Sequence, residues 1–221
     1  MTRISAVLFD VDGTLVDTNY VHVVTWWEAF RQYGHHVPMV RIHHAIGMGS
    51  DKLLDHLLPG DRDRTVDDEV RSARTALYAQ YWLRLRAFDG AADLLRACAN
   101  RGLRVVLASS ASEREMRALR DALDAEDVVT AATSASDAEQ SKPAPDILQI
   151  ALERGGVAPD AAVFVGDTVW DVAACKKAGL ACIAFLTGGI SREELREAGA
   201  AEIYDGPAEL LESLPGSLIA R

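Results

Sequence analysis

Asp10-Val11-Asp12-Gly13-Thr14, Ser109-Ser110, Ser141-Lys142-Pro143 and Gly166-Asp167 with Asp171 are the stretches whose residue types could do chemistry together. Three of them stand where a short apolar run would end if it were a strand, and Ser141-Lys142-Pro143 comes further along, after a weaker run. In a parallel sheet, ligands collect at the carboxyl ends of the strands. Acidic side chains, hydroxyls and a lysine would then meet from separate loops. Carboxylates packed together repel, and some would take up protons to relieve the repulsion. A hard divalent cation with oxygen ligands removes the conflict, and Mg²⁺ is the common one beside phosphate. With the lysine and a small hydroxyl added, the set suits an oxyanion with several charged oxygens, namely a phosphoryl group. Singly the motifs are ordinary. Asp-x-Asp is a common turn, Gly-Asp a weak signal, and Lys-Pro an ordinary helix start. Their succession, one after each of four runs, carries the reading.

The runs that must position these residues span 4–9, 103–108, 162–165 and 180–186, with 128–132 and 202–204 as weaker candidates. The first four are continuous and rich in Val, Ile and Leu, which fits strands buried on both faces. Helical patterns fill the gaps. Ala91, Leu94, Leu95 and Cys98 recur at helical spacing, and Gly102 stops the pattern. Ser112 with Glu115, and Ser191 with Glu194, fit capping boxes. Pro145 and Pro207 sit where a first turn tolerates a missing N–H, and Lys176 and Lys177 fall in a last turn before Gly179. Strands alternating with helices predict right-handed crossovers and a doubly wound, Rossmann-like α/β sheet.

The alternation breaks once. From residue 18 to 86 only helical patterns occur, which predicts an inserted helical domain on an α/β core made of residues 1–17 and 87–221. Val23, Trp26, Trp27 and Phe30 form one apolar face; Leu53, Leu54, Leu57 and Leu58 form a second; Val70, Ala73, Leu77 and Tyr81 form a third. Trp26, Trp27 and Trp82 are expected in the insertion's own core. The linkers are expected near 16–18 and 85–90.

Composition narrows the function class. Hydrophobic residues make up 49% and charged residues 25% of the chain, which excludes disorder and fibrous structure. The net charge of -10 and the lack of a Lys/Arg cluster speak against a nucleic-acid binder. Arg71, Arg74, Arg84 and Arg86 read as a solvated helix face. No apolar run is long enough for a membrane span, and the first residues do not read as a secretory signal. Cys98, Cys175 and Cys182 read as reduced core residues of a cytoplasmic protein.

The four motifs resemble the signature of the haloacid dehalogenase superfamily, within its phosphoglycolate-phosphatase and β-phosphoglucomutase branch, and the resemblance spans essentially the whole chain, helical insertion included. It implies that Asp10 is a nucleophile forming an aspartyl-phosphate and that Asp12 is a general acid and then base. Ser109 would hold a phosphoryl oxygen, Ser110 would sit beside it, and Lys142 would neutralise and orient Asp10 and the phosphate. Mg²⁺ would be held by Asp10, the backbone carbonyl of Asp12 and Asp167, with Asp171 supporting the metal from behind these ligands. Thr14 and the amides around Gly13 would position the loop. Asp12 also narrows the chemistry. Dehalogenases and phosphonatases of the superfamily lack an acid there, whereas the alkoxide leaving a C–O–P ester needs a proton.

Specificity is expected from the helical insertion, a cap over the core. His22 and Lys52 are its candidate substrate contacts, the latter in Ile46-Gly47-Met48-Gly49-Ser50-Asp51-Lys52. His35, His36, His43 and His44 suit no clear metal site and are expected at the surface. The expectation is a Mg²⁺-dependent phosphatase of a small phosphorylated metabolite, a monomer or weak homodimer with no nucleic-acid or membrane partner. A hexose-phosphate mutase and a non-catalytic phospho-acceptor module are the alternatives.

Overall fold

The computed structural model describes residues 3–134, 137 and 140–221. Six strands, β1 (Ala6–Phe9), β2 (Arg104–Leu107), β3 (Val129–Ala132), β4 (Ala162–Gly166), β5 (Ala181–Phe185) and β6 (Glu202–Tyr204), form one sheet in the order β3-β2-β1-β4-β5-β6. Every pairing is parallel. The chain winds outward from β1 in one direction through β3 and then in the other through β6. The reversal lies between β1 and β4, the place where such sheets open a crevice at their carboxyl ends.

Strand side chains alternate between faces, and both faces are apolar. Val7, Phe9, Val105, Leu107, Val163 and Val165 point to one side. They pack there against α5 (Ala91–Asn100), α6 (Glu113–Leu123) and α10 (Pro207–Ser213). Ala6, Leu8, Val106, Ala108 and Phe164 point to the other. They meet α7 (Asp146–Gly155), α8 (Val169–Ala178) and α9 (Arg192–Ala198). The capping boxes at Ser112 and Ser191 form as the spacing predicts. Four strands are a residue or two shorter than their apolar runs, β4 extends one residue past its run and β6 coincides with its own, an ordinary displacement at element ends.

Between β1 and α5 lie α1 (Asn19–Gln32), α2 (Met39–Ala45), α3 (Ser50–Leu57) and α4 (Asp67–Ala79). They enclose their own apolar cluster, with Val23, Trp26, Phe30, Ile42, Leu54 and Val70 buried in it. The helix α2 has no counterpart in the sequence reading. It is seven residues long and buries only Ile42 and Ala45, too few to set up a period. The Trp expectation holds for Trp26, while Trp27 is only partly buried against the cluster. Trp82 departs from it, because it lies in the returning linker and packs against the sheet-side core instead. The two linkers run side by side. The Asp17 amide donates to the Arg86 carbonyl and the Phe88 amide to the Leu15 carbonyl, both at 2.9 Å.

Candidate active site

The loop after β1 turns tightly because the amides of Leu15 and Val16 both donate to the Val11 carbonyl, at 3.0 Å. Val11, Leu15 and Val16 are buried, which leaves Asp10, Asp12 and Thr14 free to serve the crevice. Gly13 has φ 75°, and a Cβ there would overlap the Asn19 amide. Any other residue would be strained twice over.

Lys142, buried, reaches across from the loop before α7. Its Nζ lies 2.6 Å from Asp10 Oδ1 and 2.8 Å from Asp171 Oδ1. Asp171 has a double role. Its Oδ2 accepts from the Thr168 amide and hydroxyl, closing a capping box on α8, while Oδ1 faces the lysine. Thr14 donates to Asp167 Oδ1 at 2.7 Å, and Asn19 Nδ2 donates to Asp167 Oδ2 at 2.7 Å. Ser109, at the end of β2, accepts from the Ala111 amide through its hydroxyl oxygen and faces the cavity beside Ser110.

Oxygens of Asp10, Asp167 and Asp171 lie within 4.8 Å of one another, all on buried residues. Three carboxylates against one ammonium leave negative charge uncompensated. Burial pushes the Asp10 carboxyl up to about 7, Lys142 pulling it down and Asp171 pushing it up. Burial, then Asp171 and Asp10, drive Asp167 well above the carboxylate range. Burial would lower the Lys142 pKa, but Asp10 and Asp171 together raise it, so it stays an ammonium. A divalent cation with oxygen ligands fits this donor set, because it replaces the protons the cluster would otherwise hold.

The Asp12 carboxylate stands apart from that cluster. Its Oδ1 lies 2.8 Å from His22 Nε2, and His22 Nδ1 lies 2.5 Å from Arg74 Nη2. A guanidinium has donors only, so Nδ1 must accept, and Nε2 must carry the proton and donate to Asp12. Arg74 is held in turn by Glu115 Oε1 at 2.6 Å. Tyr78, whose phenol burial pushes up, donates to Asp12 at 3.5 Å. Burial would raise Asp12, but hydrogen bonds from His22 and Thr18 and the nearby Arg74 charge outweigh it and hold the carboxyl below its usual range. The structure therefore presents Asp12 in its base form.

A cavity of about 280 Å³ joins Asp10, Asp12, Ser109, Ser110 and Lys142 to a cap wall that includes His22, Trp26, Ser50, Arg71 and Thr75. Lys52 stands outside that lining; its ammonium donates to the Ser141 carbonyl at 2.5 Å. Several residues that matter here carry no signal in the sequence, or a misleading one. Arg74 is not a solvated residue: its side chain is 14% exposed and bridges cap and core. Asn19 carries no signal in the sequence, yet its amide grips Asp167. Glu115 reads as a capping partner, which it is, and it also anchors Arg74. His43 is not a surface residue; it is partly buried, stacks on Tyr20 and bonds the Gly188 carbonyl at 2.8 Å.

These features have close parallels in known proteins. A family model described as haloacid dehalogenase-like hydrolase matches residues 4–179. A phosphoglycolate phosphatase of Pseudomonas putida is 28% identical over 188 residues, covering 82% of this chain and 69% of that protein. The protein CbbY of Cereibacter sphaeroides is 30% identical over 221 residues, covering 94% of each. A solved hydrolase from Pseudomonas syringae matches with a TM-score of 0.91 at 27% identity, covering 96% of this chain and 98% of that one. With the doubly wound sheet, the helices inserted after β1 and the loop acids in the expected order, the chain belongs to the haloacid dehalogenase-like hydrolases, with phosphoglycolate phosphatases among its relatives.

Proposed function

We propose that the protein is a Mg²⁺-dependent phosphatase that hydrolyses a small phosphate monoester through a phospho-enzyme on Asp10. The observation that carries this reading is the pairing of a lysine-held Asp10 with a second carboxylate, Asp12, held separately by His22 on the same cavity. Asp10 attacks phosphorus as the ester P–O bond breaks, and the leaving oxygen takes the proton of Asp12. Asp12, now a carboxylate, removes a proton from water as that water attacks the phospho-aspartate. Phosphate leaves and the Asp10 carboxylate returns. Asp12 acquires its proton for the first step because an incoming phosphoryl charge raises a neighbouring carboxyl. Ser109 and Lys142 hold phosphoryl oxygens. Asp10, the Asp12 carbonyl and Asp167, supported by Asp171, would hold Mg²⁺, which supplies charge neutralisation at the phosphoryl group.

The leaving group would face Trp26, Ser50, Arg71 and Thr75, with the Glu115-paired Arg74 on the same wall. That wall suits a short polar or acidic ester such as phosphoglycolate or a sugar phosphate. Relatives that include a phosphoglycolate phosphatase and an N-acetylmuramic acid 6-phosphate phosphatase support the class. Mutases of the family this chain resembles carry a cation near the 46–52 turn to clamp a second phosphate, and here Lys52 is engaged with Ser141 instead. The three buried free thiols fit a reducing compartment such as the cytoplasm. Among the described residues, no helix is long and apolar enough to cross a membrane.

Purified protein should release phosphate from p-nitrophenyl phosphate with Mg²⁺ and not after chelation. Asp10→Asn should abolish release, and normal turnover by that variant would refute the covalent route. Conversion of β-glucose 1-phosphate to the 6-phosphate without phosphate release would replace the phosphatase reading by the mutase.

A further inference from the structure

The 46–52 turn faces the cavity, yet its two charged residues point elsewhere. Asp51 Oδ1 accepts from the Ser141 hydroxyl at 2.6 Å, and Lys52 Nζ donates to the Ser141 carbonyl at 2.5 Å. Gly49 presses on the same residue so closely that a Cβ there would overlap the Ser141 side chain. Ser141 is thus gripped from three sides by the inserted helices, and it immediately precedes Lys142.

We propose that Asp51, Lys52 and Ser141 are positioning residues for Lys142, so that the catalytic lysine is fully placed only while the cap is seated. This rests on the phosphoryl-transfer reading above. The physical basis is the way the segment is anchored. Among the described residues, the Ser141 carbonyl accepts on the core side only the Ala144 amide, at 3.0 Å, and Lys177 holds the Pro143 carbonyl at 2.9 Å. The hydroxyl of Ser141 and its second carbonyl contact belong to the cap. Lys142 must hold its ammonium between Asp10 and Asp171 to within a few tenths of an ångström. Small misplacements of such groups cost large factors in rate. Lys52 therefore acts through the backbone at 141–142 and touches no substrate.

The proposal separates cleanly from a substrate contact. A positioning residue affects every ester by the same factor, and mainly in kcat. A substrate contact affects KM, and differently for each leaving group. Lys52→Met, Ser141→Ala and the double variant should be assayed with Mg²⁺ on p-nitrophenyl phosphate and on glycerol phosphate. Lys52→Met and Ser141→Ala should each lower kcat roughly tenfold on both esters. KM should move less than about twofold, and the double variant should lose little more than either single one. Lys52→Arg, which keeps a donor in place, should restore most of the rate. Losses that differ between the esters, appear in KM, or add in the double variant would overturn the proposal. Hydrogen exchange of the same proteins supplies a readout independent of turnover. The Ala144 amide should exchange faster in Lys52→Met than in the wild type, while β1 and β4 stay protected. Unchanged exchange at Ala144 would overturn the clasp even in an active enzyme. A wild type inactive on both esters would refute the phosphatase reading and leave the exchange result to decide the clasp.

Discussion

Asp10 and Asp12 are two residues apart and have opposite electrostatic surroundings. Asp10 sits in a surplus of buried carboxylate, which raises it to about 7, while Asp12 is surrounded by donors that lower it. Environments that push two carboxyls apart in this way separate their roles. A leaving-group test follows. Asp12→Asn should lower turnover of an alkyl phosphate by roughly 10²–10⁴-fold, the usual worth of a general acid-base group. In kcat/KM, which reports the first step alone, the loss should be much smaller for p-nitrophenyl phosphate, whose leaving oxygen needs no proton. Equal losses in kcat/KM on both esters would contradict the general-acid role of Asp12, whereas its base role in the shared second step lowers kcat for both. The raised acids also predict a pH signature. A carboxyl whose folded pKa is raised favours the folded state below its unfolded value of 3.8, and that advantage disappears as pH rises toward about 7. Between pH 6 and 8 Asp12, held below 3.8, is ionised in both states and adds no slope. The melting temperature of metal-free protein should therefore rise as pH is lowered from 8 to 6, and Mg²⁺ should flatten that slope. A melting temperature that falls over the same interval, with or without metal, would count against the buried acid cluster.

Among the elements, α6 and α9 begin with the same capping box, Ser112/Glu115 and Ser191/Glu194. Only the first also holds an arginine from the cap. Glu194→Ala should cost about 1 kcal/mol, the worth of a cap. Glu115→Ala should cost about 3 kcal/mol, because it also strands a largely buried guanidinium. Urea denaturation of the two variants measures the difference directly, and equal costs would mean that the Arg74 bridge contributes nothing. The same pair marks how far local pattern reaches. Both boxes are legible from a Ser and a Glu at the right spacing, because a cap is satisfied within one turn of helix. The partner of Glu115 is 41 residues away in sequence, on a helix whose arginines look solvated when read along that helix alone.

At the scale of the whole molecule, two linkers joined by the Asp17–Arg86 and Phe88–Leu15 hydrogen bonds connect a helical body to the sheet body. The cap touches the loops after β1, β3 and β5 through His22, Lys52 and His43 respectively. Chemistry on a reactive phospho-aspartate requires water to be admitted selectively, and products must still leave. Small-angle scattering should show compaction when Mg²⁺ and a phosphate mimic such as beryllofluoride are added. An unchanged profile would argue against rigid-body opening about these linkers. The net charge of -10 repels anionic substrates at long range, so kcat/KM should not fall as salt is added. A steep fall would reveal electrostatic steering that this charge distribution does not supply.

The doubly wound core was readable along the chain because its causes are local and periodic. Apolar runs, caps and chain-terminating glycines each act over a few residues, and acids at strand ends meet wherever a parallel sheet brings those ends together. Asp10, Asp12, Ser109, Lys142, Asp167 and Asp171 could be named on that basis. The chain from Asp12 through His22 and Arg74 to Glu115, the grip of Asn19 on Asp167 and the turn of Lys52 away from the cavity depended on folding in three dimensions. In each case a side chain had several partners of suitable chemistry, and only the packing of one body on the other brought one of them within hydrogen-bonding distance.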